Sequence, residues 1–257
     1  MNDPMGVFCP DFLVGKTALV AGGTSGVGFG IAKALFSYGA NVAVCGRDAA
    51  KAEAAAHSLG VIDGRALGLS ADVRQPEMIA AAVAQCVGRF GPLDIVVAAA
   101  AGNFVVAAEK MSPKAFKTVI DIDLLGCFNV FHAVFTHLRC PGASLLAISS
   151  GHATRPVAGQ IHASAAKSGI NMLVKGLAVE WGPAGIRTNA LVPGPVAGTE
   201  GMARLLPTDQ LAGYVSSLPL RRLADVNEIA SAALFLASPA ASYINGAILE
   251  CDGGSRL

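Results

Sequence analysis

Residues 17–30 read TALVAGGTSGVGFG, an apolar run that leads into a glycine-rich turn. The run predicts a buried strand, and the pattern after it predicts a helix over residues 27–38. Gly22, Gly26 and Gly28 follow the spacing G-x-x-x-G-x-G. Glycine permits a tight turn and lets backbone N–H groups approach a pyrophosphate at the positive end of a helix. At a first strand–helix junction this pattern favours a dinucleotide site over a turn needed only for packing.

Strand-like and helix-like patterns alternate along the rest of the chain. The strand runs are apolar almost throughout, as expected for parallel strands covered on both faces. They cover residues 17–22, 41–46, 95–101, 144–150, 186–192 and 246–251, with another run ending near Ser70. The helical patterns cover residues 27–38, 49–59, 76–89, 113–138, 159–181 and 226–236. This alternation predicts an α/β fold, a doubly wound parallel sheet of Rossmann type in a single domain over residues 1–257.

The stretch 193–220 breaks the alternation. It holds several glycines and four prolines, at positions 193, 195, 207 and 219. We therefore predict a long surface excursion there, with residues 195–220 as a candidate substrate lid.

Composition excludes several classes of function. The 257 residues carry a net charge of +1 without a basic or acidic block, so we expect no nucleic-acid partner. The six cysteines form no CxxC pair or His/Cys cluster, which is typical of a reduced intracellular protein without structural metal. No signal-peptide pattern is present, and the apolar run from Ile95 is too short to span a bilayer. We predict a cytoplasmic protein; the alternative is a peroxisomal one, because the final residues, SRL, resemble an S-K-L address.

The residues after the second strand bear on the choice of cofactor. About 20 residues beyond the glycines, an acidic residue would hold a ribose 2′-hydroxyl. The sequence there is VCGRD, in which no acid precedes Arg47. Arginine pairs well with a 2′-phosphate, which favours NADP(H) over NAD(H). Asp48 is the competing observation, although it also suits a helix N-cap. Asp72, after the third strand, is expected to hold the adenine amino group or to cap a turn.

With these residues placed, the chain resembles the short-chain dehydrogenase/reductase family over nearly its whole length. The resemblance rests on the glycine pattern, Asp72, the AAAAG run at 98–102, the Ser150–Lys167 spacing, the Pro193–Gly194 turn and the DGG at 252–254. It implies a seven-stranded parallel sheet that assembles as a homotetramer.

The catalytic set of that family is altered in this chain. The family uses Asn, Ser, Tyr and Lys; the chain matches at Ser150 and Lys167 but has Asp123 for the Asn and Ala163 for the Tyr. The enoyl-carrier-protein reductase spacing, with Tyr seven residues before Lys, also fails because that position is Gln160. A phenol, with a reference pKa of about 10 that a lysine cation lowers, can give a proton to a carbonyl oxygen. Alanine cannot, so ordinary carbonyl–alcohol chemistry is disfavoured.

One branch of the family, the 2,4-dienoyl-CoA reductases and above all the peroxisomal type, lacks that tyrosine. The chain is similar to this branch at AAGNF (100–104), AFKTVIDID (115–123), HASAAK (162–167), LAVEWGP (177–183) and PGPVAGTEG (193–201). The resemblance implies an NADPH-dependent reduction of a 2,4-dienoyl-CoA to a 3-enoyl-CoA. Hydride would reach the far end of the diene, negative charge would collect on the thioester oxygen, and a proton would arrive at the α-carbon.

The resemblance also implies roles for individual residues. Asp123, Lys167, Ser150 and Asp252 would be catalytic. Asp123 would orient the water that delivers the proton, Lys167 would hold the nicotinamide ribose, and Asp252 would reach a neighbouring subunit's site or simply form a turn. The expected cofactor contacts are Gly22, Thr24, Ser25, Gly26, Val27, Gly28, Arg47, Asp72, Val73, Lys167, Pro193, Gly194, Val196 and Thr199. The expected contacts to the acyl-CoA are Arg74, Phe104 and Arg204.

Two histidines are candidates for a substitute acid. A helical residue five positions before Lys167 faces another direction from one four positions before, so His162 is predicted to be a packing residue. His152 is then the better candidate. Two rival functions stay open: a carbonyl reductase or alcohol dehydrogenase in which His152 or water replaces the phenol, and an inactive cofactor-binding subunit. The first predicts turnover of ketones or alcohols, and the second predicts nucleotide binding without turnover.

Overall fold

The computed structural model describes residues 6–60, 64–205 and 207–257, except for the side chains of residues 204, 205 and 208. The strands are β1 (Thr17–Ala21), β2 (Asn41–Gly46), β3 (Ala66–Ser70), β4 (Ile95–Ala98), β5 (Ser144–Ile148), β6 (Arg187–Pro193) and β7 (Ile248–Cys251). They form one seven-stranded parallel sheet in the order β3-β2-β1-β4-β5-β6-β7. The predicted fold class, a doubly wound parallel sheet in a single domain, is confirmed.

Helices cover both faces of this sheet. They are α1 (Gly26–Ser37), α2 (Ala49–Leu59), α3 (Pro76–Phe90), α4 (Pro113–Ile120), α5 (Gly126–Val134), α6 (Ile161–Trp181), α7 (Glu200–Leu205), α8 (Thr208–Ser217) and α9 (Val226–Ala237). The apolar strands supply side chains alternately to the two faces. Leu19 packs in the core beneath α3, α5 and α6, whereas Val20 packs in the core beneath α1 and α9. Phe131 of α5 is fully buried in the first core, and its replacement by Ala would cost about 3–5 kcal/mol.

The segment predicted as helical over 113–138 is one helical run, Pro113–His137, of mixed type. A turn of π-helix, Asp121–Leu125, lies between α4 and α5, and a 3-10 turn, Phe135–His137, follows α5. The helical prediction is confirmed, but the sequence pattern did not indicate the π-helical turn. A π-helical turn inserts an extra residue into the helical register, and such turns are frequent at functional sites. Here the turn carries Asp123, whose side chain is 1% exposed.

Other boundaries also differ from the prediction. β4 ends at Ala98 rather than at residue 101, because the chain leaves the sheet there to line a cleft. The surface excursion at 193–220 contains the helices α7 and α8, which the proline-rich pattern did not predict. Pro207 stands at the N-cap of α8, a place where a proline does not interrupt helical hydrogen bonds.

One helical run, Pro113–His137, has the length and apolar character of a membrane-spanning helix among the residues that the structure describes. The same run contains α5, which packs in the core beneath the sheet. Core helices of this kind pass the same test of length and composition.

Candidate active site

The carboxyl ends of the strands open into one long cleft of about 1060 Å³. In such sheets ligands bind outside these ends, where the strand order changes direction. That place here is the neighbouring pair β1 and β4. The predicted residues that line the cleft are Gly22, Thr24, Ser25, Gly26, Val27, Gly28, Arg47, Asp72, Val73, Phe104, Asp123, Ser150, Lys167 and Thr199. The structure thus gathers most of the predicted cofactor contacts onto one surface.

The glycines of the first turn serve two different purposes. A Cβ at Gly22 would lie 2.4 Å from the nitrogen of Ala100, and a Cβ at Gly28 would lie 2.2 Å from the carbonyl oxygen of Gly22. These close approaches seat α1 against the edge of the sheet, so packing requires both glycines. Gly26 has open space around it but a φ of +56°, a backbone conformation that glycine adopts without strain.

The first turn of α1 is suited to an anion. Its N-cap, Ser25, makes no side-chain capping bond within the described part of the chain. The first N–H groups of a helix lack partners inside the helix and lie at its positive end. Ser25, Gly26 and Val27 all line the cleft, so these groups can bind the pyrophosphate of a dinucleotide.

Basic side chains border the cleft after β2. Arg47 and Lys51 both line it, and the Lys51 ammonium lies 3.0 Å from Oε1 of Glu200 on α7. The carboxylate of Asp48 accepts a hydrogen bond of 3.0 Å from the backbone N–H of Lys51. Asp48 is therefore the N-cap of α2, which gives it a structural role independent of any ribose.

Asp72 and Arg74 form a two-residue ion pair beside this region. Nε of Arg74 lies 3.0 Å and 3.1 Å from the two carboxylate oxygens of Asp72, and Nη2 lies 2.5 Å from Oδ2. The Arg74 guanidinium lowers the pKa of the Asp72 carboxyl. Arg74 itself is absent from the residues that line the cleft. Its contact with an acyl-CoA stays a prediction.

A buried ion pair lies at the opposite end of the cleft. Oδ2 of Asp123 is 3.1 Å from Nζ of Lys167, and Oδ1 accepts a hydrogen bond of 2.7 Å from the backbone N–H of Gly102. Nζ of Lys167 also donates to the carbonyl oxygen of Ile148 at 3.0 Å. The Lys167 side chain is 8% exposed. Since buried charges are tolerated only when they are paired and hydrogen-bonded, these contacts fix both side chains in one geometry.

The position of the absent tyrosine is filled by a small apolar cluster. Ala163 is 3% exposed and packs with Val119 and Ala166. It still lines the cleft, one helical turn from Lys167. No hydroxyl stands here to protonate a carbonyl oxygen.

Ser150 and His152 lie on the turn after β5. Ser150 caps a 3-10 turn, Gly151–Ala153, and its Oγ accepts a hydrogen bond of 3.3 Å from the backbone N–H of His152. Both residues line the cleft. Burial, together with the positive charge of Lys167, lowers the pKa of His152. The imidazole is therefore neutral at physiological pH.

His162 faces away from the cleft. It is fully buried, and its ring meets the ring of Phe104 edge-on at 4.3 Å between centroids. Neither ring nitrogen has a hydrogen-bond partner among the described residues. This placement agrees with the prediction of a packing residue.

Some predicted site residues lie outside the cleft lining. Val196 is buried at the start of the segment 195–220, and its carbonyl oxygen accepts a hydrogen bond of 3.0 Å from Thr199. Gly194 approaches β7 so closely that a Cβ would lie 2.6 Å from Cα of Asp252. Pro193 is the last residue of β6. Cofactor contacts by these three residues stay predictions, and the side chain of Arg204 lies outside the described part of the chain.

Asp252 forms a turn within its own chain. Its carboxylate accepts hydrogen bonds from the N–H of Gly254 at 3.0 Å, from Oγ of Ser255 at 3.1 Å and from Nε of Arg256 at 3.2 Å. It borders a separate cavity of about 310 Å³. The turn-forming alternative is therefore observed, and a role in a neighbouring subunit's site stays a prediction.

Comparison with known proteins places this site in a family. A family model described as Enoyl-(Acyl carrier protein) reductase matches residues 21–256. The chain is 44% identical to the peroxisomal 2,4-dienoyl-CoA reductase [(3E)-enoyl-CoA-producing] of Pongo abelii, over 98% of this chain and 87% of that protein. The chain belongs to the short-chain dehydrogenase/reductase family.

Solved structures of this family show the same fold. One is the 3-ketoacyl-(acyl-carrier-protein) reductase from Brucella melitensis complexed with NADH, with a TM-score of 0.87 and 32% identity over 95% of this chain and 100% of that one. Another is a short chain dehydrogenase from Burkholderia cenocepacia J2315 in complex with NADP, with a TM-score of 0.88 and 29% identity over 95% and 99%. This short-chain dehydrogenase/reductase is accordingly an oxidoreductase with a nicotinamide cofactor site.

Sequence reasoning missed several contacts of this reductase site. Nδ2 of Asn103 donates a hydrogen bond of 2.5 Å to Oε1 of Gln160, and Oδ1 of Asn103 accepts one of 2.8 Å from the N–H of Phe104. The N–H of Gly102 binds Asp123, and Lys51 pairs with Glu200 across the cleft. These partners are far apart along the chain, so spacing carries no signal for them. Only the position of Asn103, directly after the AAAAG run (98–102) that follows the end of β4, pointed to the cleft.

Proposed function

We propose that this chain reduces 2,4-dienoyl-CoA thioesters to 3-enoyl-CoA with NADPH, as a step in the breakdown of unsaturated fatty acids. The observation that carries the proposal is Ala163 in place of a phenol, beside an intact and buried Asp123–Lys167 pair. A site that had lost its function would not be expected to keep two buried charged side chains paired with each other and hydrogen-bonded to the backbone. The named function of the Pongo abelii relative supports the same reaction.

The glycine-rich turn between β1 and α1, residues 22–28, forms a cradle that suits a nicotinamide dinucleotide. The uncapped N-terminus of α1 offers N–H groups to the pyrophosphate. Arg47 and Lys51 offer two cations at the far end of the cleft, where a 2′-phosphate would lie, and Asp48 is already engaged as an N-cap. These charges favour NADP(H) over NAD(H). Bound NADPH would supply hydride to the far end of the conjugated diene.

The residues of the chain would then stabilise the negative charge of the dienolate and help to deliver a proton to its α-carbon. As charge collects on the thioester oxygen, a hydrogen-bond donor aimed at that oxygen would favour the dienolate. Lys167, whose charge is balanced by Asp123, would hold the nicotinamide ribose. The Ser150 hydroxyl can donate its proton to that oxygen, because Oγ is the acceptor in its hydrogen bond with the N–H of His152. Protonation at the α-carbon needs no phenol at the oxygen.

Asp123 would act on a water molecule rather than as the acid. One of its oxygens accepts a hydrogen bond from Gly102, and the other forms an ion pair with Lys167, which are contacts that an ionised carboxylate makes. A carboxylate held in this way can still accept from a water on a remaining lone pair and orient it. His152 lines the same cleft and is the alternative group to handle the proton. Because its lowered pKa leaves the imidazole neutral, it would have to take up a proton before it could donate one.

The first experiment is NADPH oxidation with a short 2,4-dienoyl-CoA, with NADH and acetoacetyl-CoA as controls. We expect turnover of the dienoyl-CoA with a preference for NADPH, and a loss of about 100-fold or more in kcat for Asp123→Ala, as for other well-oriented catalytic groups. Turnover of acetoacetyl-CoA alone would favour the carbonyl reductase, and His152→Ala would then be the variant to lose activity. NADPH binding without turnover of either substrate would favour the inactive subunit.

We further propose that the chain assembles as a homotetramer. Large apolar side chains are exposed on the helices of one face: Leu125, Phe128, Phe135, Met172 and Val179. The rings of Phe135 and Trp181 meet at an angle of 40°, with 4.8 Å between centroids, which brings the ends of α5 and α6 together. Exposed apolar patches favour a protein interface.

The compartment forms part of the same proposal. The Pongo abelii relative is named as peroxisomal, which favours the peroxisomal alternative over the cytoplasm. Fluorescent fusions with and without residues 255–257 would decide between them in cells, since only the intact chain should reach peroxisomes if those residues are an address.

A further inference from the structure

The segment after β7, residues 252–257, folds back onto the turn that carries Ser150 and His152. Nη1 of Arg256 donates to Oγ1 of Thr154 at 2.5 Å and to the carbonyl oxygen of Gly151 at 3.4 Å. These contacts join positions 102 and 105 residues apart in the chain. A segment at the far end of the chain therefore touches the turn beside the cleft.

The Arg256 guanidinium is anchored by two carboxylates at the end of the sheet. Glu250 of β7 forms an ion pair with Nη2, and Oδ2 of Asp252 lies 3.2 Å from Nε. The Arg256 side chain is only 13% exposed. An arginine fork held by paired charges at this level of burial has a fixed direction. The remaining donor edge of the fork points at the Gly151–Thr154 turn.

The stem of Arg256 also fits the turn sterically. A Cβ at Gly151 would lie 2.2 Å from Cδ of Arg256 and 3.1 Å from its Cγ. The φ of Gly151 is not in the left-handed region, so its backbone does not demand glycine. Its lack of a side chain is instead required by the arginine that lies against it.

The turn is held from the opposite side by α6. Oγ of Ser168 donates to the carbonyl oxygen of Ala153 at 2.6 Å. Ser150 and His152, which line the cleft, thus stand on a turn clamped between α6 and Arg256. Removing one side of the clamp would free the turn to shift relative to the Asp123–Lys167 pair.

We propose that Arg256 is a positioning residue for the reaction: it fixes the Gly151–Thr154 turn to the end of β7 and so holds Ser150 and His152 in the cleft. The arginine does not touch the cleft itself. Its effect on turnover rests on the proposed function, whereas its hold on the turn does not.

The test compares Arg256→Met, which keeps the stem and removes the donors, with the wild-type protein. Hydrogen exchange would follow the N–H groups of Ala153, Thr154 and Arg155, which bond to Ser150 and Gly151 within the turn. We expect exchange there to quicken about tenfold and kcat for the dienoyl-CoA to fall about 10- to 100-fold, as for a misplacement of about 1 Å. NADPH affinity should change by less than about twofold, because Arg256 contacts no part of the cradle.

Three further variants separate positioning from loss of stability. Arg256→Lys keeps a cation for Glu250 and Asp252 but cannot span both turn acceptors, so it should restore thermal stability more than kcat. Thr154→Val removes an acceptor on an exposed residue and should reproduce part of the effect even if Arg256→Met does not fold. Arg139→Met breaks an ion pair with the buried Asp94, at 2.8 Å and beside the start of β4 at the other end of the sheet, and should leave the turn's exchange unchanged.

A double-variant cycle supplies the decisive comparison. Gly151→Ala should be severe in the wild-type protein, and less so beside Arg256→Ala, where Cδ is gone. Additive effects, or unchanged exchange in the turn, would overturn the proposal. Faster exchange with unchanged kcat would also overturn it, because the turn would then be held without consequence for turnover. If the wild-type protein does not reduce a dienoyl-CoA, the exchange data still test the clamp, and only the proposed function fails.

Discussion

At residue 163 a methyl group occupies the place of the family's phenol. Ala163 packs with Val119 and Ala166, with Phe104 against their edge. It also lines the cleft, where it presents no proton donor. The chemistry of the site therefore depends on what remains, the Asp123–Lys167 pair and the turn after β5.

Asp123→Asn tests the energetic role of that pair. An amide can accept from either Gly102 or Lys167, but its NH2 then faces the other donor, and Lys167 is left as a buried cation without a counter-charge. We expect the free energy of unfolding to fall by about 3 kcal/mol or more. Urea unfolding would measure it. The matched control is Asp121→Asn in the same π-helical turn, whose pair with Lys117 lies at the surface and should cost less than about 0.5 kcal/mol.

His162→Leu tests the cost of burying an imidazole without partners. Burial lowers the pKa of His162, and the charge of Asp123 offsets part of that effect. The folded protein thus binds the proton less readily than the unfolded chain. The stability that depends on a neutral His162 is therefore present above a pH of about 6.5 and is lost as the pH falls below that value.

We therefore expect the wild-type protein to lose more stability than His162→Leu between pH 7.5 and pH 5.5, in urea titrations at each pH. His57→Gln, on an exposed position of α2, serves as the control and should follow the wild-type protein. A His162→Leu profile parallel to that of the wild type would show that His162 does not titrate in this range.

At the scale of elements, the sequence predicts what depends on local pattern and misses what depends on distant contact. The apolar runs and the glycine turn predict each strand and the first strand–helix junction, because periodicity and backbone freedom are local properties. The π-helical turn at Asp121–Leu125 has no such signal. The turn carries Asp123, which contacts Gly102 and Lys167, and contacts to segments so far along the chain leave no local pattern.

The glycines of α1 and α3 give opposite predictions for the same substitution. Gly28→Ala would drive a methyl group into the carbonyl of Gly22, and we expect a loss of about 1–3 kcal/mol together with weaker NADPH binding. Gly88→Ala in α3 meets no atom within 4 Å, and we expect a gain of about 0.5–1 kcal/mol. Unfolding in urea and NADPH fluorescence would measure both. Equal effects in the two helices would show that the close approach at Gly28 does not govern its substitution.

At the scale of the molecule, the sequence predicts the sheet and the cleft better than the surface. Alternating strands and helices leave few topologies, and the carboxyl edge of the sheet then gathers the glycine turn, Asp72, Ser150 and Lys167. The surface follows no such rule. Pairs such as Asn103–Gln160 and Arg256–Thr154 join segments whose separation carries no periodicity. The sequence pattern also does not distinguish an apolar side chain of α6 that packs in the core from one that another subunit covers.

A substitution on α6 tests whether another subunit covers its exposed apolar side chains. Met172 on α6 is 67% exposed, and we expect Met172→Glu to split the proposed tetramer, because an unpaired carboxylate would have to be buried in an apolar interface. Sedimentation would follow the mass. The matched control is Met78→Glu, at a 40% exposed methionine on α3, which should leave the wild-type mass unchanged.

If Asp252 completes a neighbouring subunit's site, the dissociated Met172→Glu protein should also lose turnover while keeping NADPH affinity. A wild-type monomer, or dissociation by Met78→Glu instead, would place the interface elsewhere and confine Asp252 to the turn it forms in its own chain.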